Sequence, residues 1–405
     1  MEQAPQAIQV SFSTRQYFNF LRFLSKITIC SQIFSFSIVP YFEKVFFGKI
    51  NVEQVFLCYD YGTKKGGGQV LDKLDNYIVT ILEKSITPRK LPFLHTVLAG
   101  RRTGQAVQDI HLFQMQHLFG LVPNLKANYL EKRLLELVHQ GSIISTENGY
   151  VTQGQLVATF ENDYPNFQGF TFQRQAFAFF SHLRLAVQVV SNIHHHESYY
   201  LPVIRDKKAQ QFIKHWLKYQ DKTNLADKLY GELFAWMNKL AVARPAFLVE
   251  RFSGGELMGY TTEQIASKYQ VEKWDVYFEV LHEVHRLLTE MKKKPEEWPI
   301  LASLVPDELN GLTSSAMQTY VLWQNGADLE AIERIRNLKK STIHDHFVEI
   351  RATLKEANVP YLPEEAIIQT IITKKWNLLR EIKAEFPDLD YYQIRLAVVS
   401  REGEQ

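Results

Sequence analysis

Near its C-terminal end the chain brings two ammonium groups and two hydroxyl groups together, in Lys339, Lys340, Ser341 and Thr342. At the start of a helix such groups are suited to hold a phosphate, because the first backbone N–H groups of the helix also lack partners. His344 lies two residues further on, and we expect it to be the side chain nearest a base edge. The sequence therefore predicts contact with a phosphate backbone here rather than catalysis.

The elements that position these residues have the pattern of a helix-turn-helix. Asp328 is a good N-cap for the first helix of the pair. Asn337 is expected to form a one-residue turn, since Asn tolerates the left-handed conformation, and Ser341 is expected to cap the second, recognition helix. The apolar residues predicted to face the core are Leu329, Ile332, Ile335, Ile343, Phe347 and Ile350.

A further helix is predicted directly before this pair, over Thr313 to Asn325, with Met317, Tyr320 and Val321 facing inward. Together these elements predict a C-terminal helix-turn-helix domain over residues 312–400.

The predicted charge of this domain is only slightly positive. Between Asp328 and Lys355, six Lys and Arg residues oppose five acidic residues, a net charge of +1. We therefore expect modest, salt-sensitive binding of DNA, with Arg336 as a further contact residue.

Side chains that could perform catalysis or hold a metal do not converge in the sequence. His194, His195 and His196 are consecutive, and adjacent helical residues point about 100° apart, so they do not share one metal ion. His282 and His285 could share a helix face, but no third ligand has a convincing spacing. The chain has no G-x-S-x-G and no ATP-binding G-x-x-x-x-G-K-[ST]. We expect no enzyme activity, no cofactor and no metal.

Composition limits the possible partners. The 405 residues include 46 Lys and Arg against 44 Asp and Glu, so a basic surface must be local. A hydrophobic fraction of 46% and a charged fraction of 22% are ordinary for globular domains. Cys30 and Cys58 are the only cysteines, which excludes a disulfide framework beyond one bond and fits a reducing cytoplasm.

Residues 70–155 are predicted to form a winged-helix-like module. Several helical patterns are followed there by Asn148-Gly149, a strong hairpin signal. Arg101 and Arg102 lie in a turn between two predicted helices and are candidates for phosphate contact. Charges on helix faces are as often simply solvated, and both interpretations remain open for these residues and for Lys126, Lys132 and Arg133.

Residues 169–305 are predicted to form a helical domain, after an irregular segment at 156–168. The aromatic residues of Phe170–Phe180 have the spacing of a packed core. A second helix-turn-helix candidate lies at Tyr260–Tyr277, where Thr261 or Thr262 can cap the first helix. Its acidic residues weaken the case for phosphate contact, so a purely structural role remains open.

Residues 1–69 differ from the rest, since they hold 10 of the 27 Phe residues. Three interpretations remain open. The first is a signal peptide or membrane anchor, although the apolar run Ile27–Val39 is too short to span a bilayer. The second is an aromatic-rich helical appendage. The third places the true translation start near Val70 or Leu71, because Lys64–Gly68 can be encoded by a purine tract like a ribosome-binding site.

Two parts of the sequence resemble known families. The C-terminal segment resembles the helix-turn-helix domain appended to some RecQ-type helicases, in Thr319-Tyr320, Gly326, Ile332, Arg336, Ser341–His346 and Ile382–Arg395. The runs Leu98–Gln105 and Asp109–Phe113 resemble YpbB-like proteins of Firmicutes. Two departures from the helix-turn-helix pattern are Glu333 in place of a small Ala, which puts tight helix packing in doubt, and Asn337 in place of Gly.

The resemblance covers roughly residues 71–400 and implies a function. In YpbB-like proteins the helix-turn-helix domain lies on a separate chain, typically encoded beside a RecQ-type helicase gene. The resemblance therefore implies two partners: DNA, either duplex or branched, and a RecQ-type helicase.

Taken together, the sequence predicts a mainly α, multi-domain helical protein with a winged-helix-like N-terminal module and a C-terminal helix-turn-helix domain. The predicted function is a non-catalytic, cytoplasmic DNA-binding accessory protein that acts with a RecQ-type helicase in DNA repair or recombination, without a membrane partner. A helix-turn-helix transcriptional regulator and a protein-interaction scaffold without DNA contact remain alternatives.

Overall fold

The structure, a computed structural model, describes residues 71–153, 159–165, 167–240, 244–255, 257–306 and 311–401. The three interpretations of residues 1–69 concern a segment outside these ranges.

The described residues are mainly helical, as predicted. The helices are α1 (Lys73–Lys84), α2 (Leu91–Ala99), α3 (Gly104–Leu112), α4 (Ala127–His139), α5 (Phe160–Asp163), α6 (Gly169–His194), α7 (Lys207–Lys218), α8 (Leu225–Met237), α9 (Pro245–Val249), α10 (Thr262–Tyr269), α11 (Lys273–Lys293), α12 (Pro299–Ala302), α13 (Ser314–Gln324), α14 (Leu329–Arg336), α15 (Lys340–Thr353), α16 (Glu365–Thr373), α17 (Leu379–Glu385) and α18 (Tyr391–Val399). Between α4 and α5, β1 (Ile143–Thr146) and β2 (Gly149–Thr152) form an antiparallel hairpin.

The chain divides into two compact units. Of the described residues, the smaller unit contains 184–265, and the larger unit contains 71–183 and 266–401. The predicted modules at 70–155 and 312–400 therefore belong to one unit, whereas the predicted helical domain at 169–305 is divided between the two. The boundaries between the units, at 183/184 and 265/266, fall within the helices α6 and α10.

Aromatic rings form much of the core of the larger unit. The ring of Phe160 stacks on Tyr77 and meets Phe278 edge-on, with ring centroids 4.9 Å apart in both pairs. Phe167 packs edge-on against His285 at 5.3 Å. These rings are almost fully buried, and burying each of them stabilises the fold by about 1.5–3 kcal/mol. Phe179, within the predicted aromatic stretch, is also fully buried, as its spacing indicated.

The hairpin forms at the predicted place, with its turn shifted by one residue. Thr146 already pairs with Gly149, so the loop consists of Glu147 and Asn148 rather than Asn148-Gly149. Tyr150 also exchanges two backbone hydrogen bonds of 2.9 Å with Arg89, ahead of α2. The order of helices, bridge and hairpin is compatible with a winged helix, which stays a prediction.

One predicted helix is shorter than expected. The sequence pattern of Gln105–Leu118 predicts one helix, but α3 ends at Leu112, because Gln114 takes a φ of +52° and reverses the chain. A short 3-10 turn, Gln116–Leu118, follows.

The smaller unit contains α7, α8 and α9. The Gln188 amide holds the segment after α6 extended: its Nε2 donates to the Leu201 carbonyl at 3.0 Å, and its Oε1 accepts from the Val203 N–H at 2.8 Å. Among the described helices, α6 is long and apolar enough to cross a bilayer, but 61% of its most apolar stretch is buried inside the protein, as in a core helix.

The second helix-turn-helix candidate contains both predicted helices, α10 and α11. Thr261 caps α10, since its Oγ1 accepts from the Gln264 N–H at 3.2 Å. Gln270, between the helices, has a φ of +53°. Glu272 and Asp275 form a reciprocal cap at the start of α11, so these acidic side chains have a structural role.

Candidate nucleic-acid interface

α13, α14 and α15 form a helix-turn-helix at the predicted place. Asp328 caps α14, as its Oδ1 accepts from the Ala331 N–H at 2.7 Å. Asn337 follows α14 with a φ of +49°, the left-handed conformation predicted for it. Glu333 is half-buried and does not prevent α14 from packing on α15. The predicted core residues Ile332, Ile343, Phe347 and Ile350 are fully buried.

Two residues predicted to face inward do not. Val321 is 45% and Ile335 is 63% exposed. Ala316 and Thr319 take the inward positions of α13 and are fully buried. The small Thr319 is buried because its hydroxyl finds partners on both other helices of the motif.

The start of α15 is exposed to solvent. Lys339, Lys340 and Ser341 are exposed, and Thr342 is half-buried. Ser341, predicted to cap this helix, lies inside its first turn, because the N-cap is Lys339 and no side chain caps the helix. The first N–H groups of a helix lack intrahelical partners, and the helix dipole makes this end positive. Two ammonium groups and uncapped N–H groups therefore lie together at this end.

The remainder of α15 is covered on several sides. α13, α18 and also α3, from the N-terminal part of the chain, pack against it. Every residue of His346–Ile350 is buried. Gly104, the first residue of α3, faces Asp345, which is paired at 2.5 Å with Arg395 of α18. The recognition helix therefore exposes its first turn and little else.

His344 does not face outward as predicted. Its ring stacks on Tyr392 of α18, with centroids 3.8 Å apart and an angle of 15° between the planes. Its Nε2 is buried and has no hydrogen-bond partner among the described residues. Burial, and then the nearby Lys340 ammonium, lowers the pKa of His344. This side chain therefore helps to dock α18 and is turned away from the position of a base edge.

Arg336 joins the turn of the motif to its first helix. Its Nη1 donates to the Ser315 carbonyl at 2.9 Å and to the Thr319 hydroxyl at 2.8 Å. His346 bonds to the same two residues, from Nδ1 to Thr319 Oγ1 at 2.8 Å and from Nε2 to Ser315 Oγ at 3.0 Å. Burial and the Arg336 guanidinium lower the pKa of His346, which keeps this imidazole neutral. Arg336 is thus held by the protein, with part of its surface still accessible.

Arg102, predicted as a phosphate contact, is buried and fixed inside the larger unit, with its side chain 7% exposed. Nη1 donates to the Gly311 carbonyl at 2.6 Å and to Thr353 Oγ1 at 3.1 Å, and Nη2 donates to the Phe170 carbonyl at 2.6 Å. Glu349 of α15 lies 3.9 Å away. The prediction for Arg102 is wrong, because its donors bind internal acceptors: they tie the loop before α3 to Gly311, to the C-terminal end of α15 and to the start of α6.

Arg101, the preceding residue, is exposed. It lies in the loop that leads to Gly104 and thus to the Asp345–Arg395 pair at the first half of α15. The structure places the two adjacent arginines in opposite environments, and Arg101 remains a candidate contact residue.

Two basic residues of the predicted winged-helix-like module, Arg133 and Lys132, have acidic partners. Arg133 binds Asp72, Asp75 and Glu136, so its charge is neutralised within the module. Burial, and then the Asp72 carboxylate, raises the pKa of Asp75 to about 6. Lys132 lies 3.7 Å from the Glu136 carboxylate. For Lys132 and Arg133, these contacts favour a structural role on a solvated helix face over contact with phosphate.

The histidines considered as metal ligands have other surroundings. His282 and His285 lie in the aromatic core, where His285 Nδ1 accepts from the Gln168 N–H at 3.1 Å. Burial lowers the pKa of His285 to about 3. No group of three or more His, Cys, Asp or Glu residues that could hold a metal occurs among the described residues.

Comparison with known proteins agrees with this geometry. Residues 315–398 match a family described as a helix-turn-helix domain. This range begins in α13 and ends in α18, so it includes both the exposed start of α15 and the helix that covers its side. The chain therefore carries a C-terminal helix-turn-helix domain, which indicates a DNA-binding protein.

The chain is also similar to Protein YpbB of Bacillus subtilis (strain 168), with 27% identity over 319 residues. The matched region covers 75% of this chain and 90% of that relative. The chain is thus similar to YpbB over most of its length and carries a C-terminal helix-turn-helix domain, in agreement with the sequence resemblance. No solved structure matches the chain.

Proposed function

We propose that this protein is a non-catalytic, cytoplasmic DNA-binding accessory protein that acts with a RecQ-type helicase in DNA repair or recombination. The observation that carries the DNA contact is the exposure of Lys339, Lys340 and Ser341 at the uncapped start of α15. A phosphate is the ligand that fits two ammonium groups, a hydroxyl and free N–H groups at a helix start.

The covering of α15 favours recognition of the DNA backbone over recognition of a sequence. A helix-turn-helix regulator places its recognition helix in the major groove and reads base edges with its side chains. Here α3 and α18 pack along that helix, and His344 is stacked on Tyr392. We therefore expect binding with little sequence preference, which fits an accessory protein better than a transcriptional regulator.

The helicase partner is supported by resemblance. The matched domain resembles one found at the C-terminus of some RecQ-type helicases, and this chain has no ATP-binding G-x-x-x-x-G-K-[ST]. We infer that it supplies DNA binding to a helicase on another chain. Unwinding of a forked duplex by a RecQ-type helicase from the same host, at limiting helicase concentration, should accelerate when this protein is added. Unchanged unwinding at saturating protein would contradict the partnership.

Fluorescence anisotropy tests the DNA contact itself. Labelled forked and blunt duplexes of two unrelated sequences are titrated with the full chain across a salt series. We expect salt-dependent binding with affinities for the two sequences within about threefold, since phosphate contacts carry no sequence information. A preference of a hundredfold or more for one sequence would favour the regulator, and absence of binding at low salt would favour the scaffold.

A further inference from the structure

A cleft of about 1100 Å³ lies within the larger unit, on the other end of the recognition helix from Lys339 and Lys340. Its walls come from the start of α6, the last two turns of α11, the residues Ala302, Val305 and Gly311, and the segment 352–355. Ala352 and Thr353 are the last residues of α15, so the cleft and the phosphate-binding end share one helix. A 14-residue helix is about 21 Å long, which sets the separation of the two places.

The charged residues that line the cleft are mainly basic. Arg286, Lys292, Lys293 and Lys355 line it, against the single carboxylate of Glu290. Two of these cations are engaged: Arg286 lies 2.8 Å from Glu283, and Lys355 Nζ donates to the Val399 and Arg401 carbonyls at 2.8 Å. Lys292 and Lys293 are exposed at the rim. The ligand class favoured by this rim is an anion.

The inner surface of the cleft is partly apolar and contains an unused donor. Val305 and Leu354 are half-buried in its wall. Gln116, also in the wall, is 8% exposed, and its Nε2 has no hydrogen-bond partner among the described residues. His111 donates from Nδ1 to the Val107 carbonyl at 2.7 Å, so its Nε2 is an acceptor. A ligand in this cleft therefore meets a basic rim, an apolar wall and the unpaired amide nitrogen of Gln116.

A single strand of nucleic acid combines the features that this cleft requires. Its phosphates suit Lys292 and Lys293, and its unpaired bases offer flat apolar faces and hydrogen-bonding edges, which a duplex hides in its stack. We propose that the cleft binds a single DNA strand, while the start of α15 binds duplex phosphates; this inference rests on the proposed function. The two places together would engage both parts of a fork.

The test compares three double variants of the full chain that carry the same charge change. They are Lys292→Glu with Lys293→Glu at the cleft, Lys339→Glu with Lys340→Glu at the helix start, and Lys207→Glu with Lys208→Glu as control. The control pair is also consecutive, helical and exposed, and lies outside both the cleft and the helix-turn-helix domain. Each variant is titrated with labelled oligothymidylate and with blunt duplex across a salt series, and its thermal unfolding is compared with that of the wild type.

We expect the cleft variant to bind oligothymidylate at least about tenfold more weakly, with its salt slope reduced by about 1.4, because each phosphate contact on a single strand contributes about 0.7. Its duplex affinity should stay within about twofold of the control. The helix-start variant should show the reverse selectivity. Equal loss on both DNAs, or no loss on oligothymidylate, would overturn the cleft assignment.

The outcomes also separate this inference from the proposed function. Duplex binding that depends on Lys339 and Lys340 while the cleft variant behaves like the control refutes the cleft alone. Binding of oligothymidylate without any duplex binding refutes the proposed role of the helix start. Competition by polyglutamate as efficient as that by oligothymidylate would overturn the inference in favour of an acidic peptide. If charge reversal lowers thermal stability, Lys292→Gln with Lys293→Gln should still show about half of the expected slope change or more.

Discussion

The hydroxyl of Thr319 on α13 and the imidazole of His346 on α15 form a hydrogen bond of 2.8 Å, which joins the first helix of the motif to its recognition helix. Arg336, at the end of α14, donates to the same hydroxyl. Thr319 Oγ1 thus bonds to both groups, and burial together with the Arg336 guanidinium lowers the pKa of His346, which favours the neutral imidazole. This buried cluster holds all three helices and fixes the angle at which Lys339 and Lys340 emerge.

Thr319→Val should lower the free energy of unfolding by about 1–3 kcal/mol, because the side chain keeps its shape while His346 and Arg336 each lose a buried partner. Urea unfolding followed by circular dichroism measures this change. Thr370→Val is the matched control, an exposed helical threonine whose replacement should change stability by less than about 0.5 kcal/mol. Equal effects of the two substitutions would show that the cluster does not hold the motif.

Arg102→Ala and Arg101→Ala should separate stability from binding at adjacent positions. Removing the buried Arg102 leaves the Gly311 and Phe170 carbonyls without this donor and should cost about 3 kcal/mol, with the salt slope of DNA binding unchanged. Removing the exposed Arg101 should leave stability within about 0.5 kcal/mol and, if it contacts phosphate, reduce the slope by about 0.9. Thermal unfolding and anisotropy are measured on both. A reduced slope for Arg102→Ala in folded protein would contradict its structural role.

Gly104→Ala should disturb the contact between α3 and α15. A methyl group there would overlap the Asp345 carboxylate and come within 2.6 Å of Arg395 Nη2, so the pair must move. We expect a loss of about 1–2 kcal/mol in the free energy of unfolding, limited because both groups end flexible side chains. Gly231→Ala in α8 has open space around it and should instead stabilise by about 0.5–1 kcal/mol. A neutral or stabilising Gly104→Ala would mean that α3 does not rest on the recognition helix.

The buried His285 should make the protein sensitive to acid. Its pKa falls from the ordinary 6.5 to about 3 on folding, so the unfolded chain takes up this proton first. The neutral His285 contributes to the free energy of unfolding in full above about pH 6.5. This contribution is lost as the pH falls towards 3, by about 1.4 kcal/mol per pH unit at most. Asp75 acts in the opposite direction between about pH 6 and 4, because folding raises its pKa to about 6.

Comparison of the wild type with His285→Leu isolates the contribution of His285 to the pH dependence of stability. Stability is measured by urea unfolding between pH 7 and pH 4.5, and the variant should lose less stability over this range, because it lacks the proton-binding group. Parallel pH profiles for the two proteins would contradict the buried, neutral state of His285.

The local features of the helix-turn-helix were predictable because they depend on neighbouring residues. Asp328 caps the helix that follows it, and Asn337 takes the left-handed turn that its side chain tolerates. The N-cap of α15 lies two residues before the predicted Ser341, because the helix begins at Lys340 without a side-chain cap. Ile335 has the right spacing for the core, but nothing covers that side of α14 within the described residues.

The surroundings of the candidate site residues were not predictable from spacing. Arg101 and Arg102 are chemically identical neighbours, and one of them is buried by contacts with residues distant in the chain, among them Phe170 of α6, Gly311 and Thr353 at the end of α15. His344 and His346 lie two residues apart, yet one stacks on Tyr392 and the other bonds to Thr319. Long-range contacts of this kind leave no periodic signal in the sequence.

Duplex binding by the full chain and by its Lys339→Ala, Lys340→Ala variant tests the central claim most directly. Anisotropy is measured across a salt series, with Lys207→Ala, Lys208→Ala as the control that removes the same charge elsewhere. We predict that the helix-start variant loses affinity and that its salt slope falls by about 1.8, since each duplex phosphate contact contributes about 0.9. An unchanged slope and affinity, equal to those of the control, would contradict the claim that the start of α15 holds the DNA backbone.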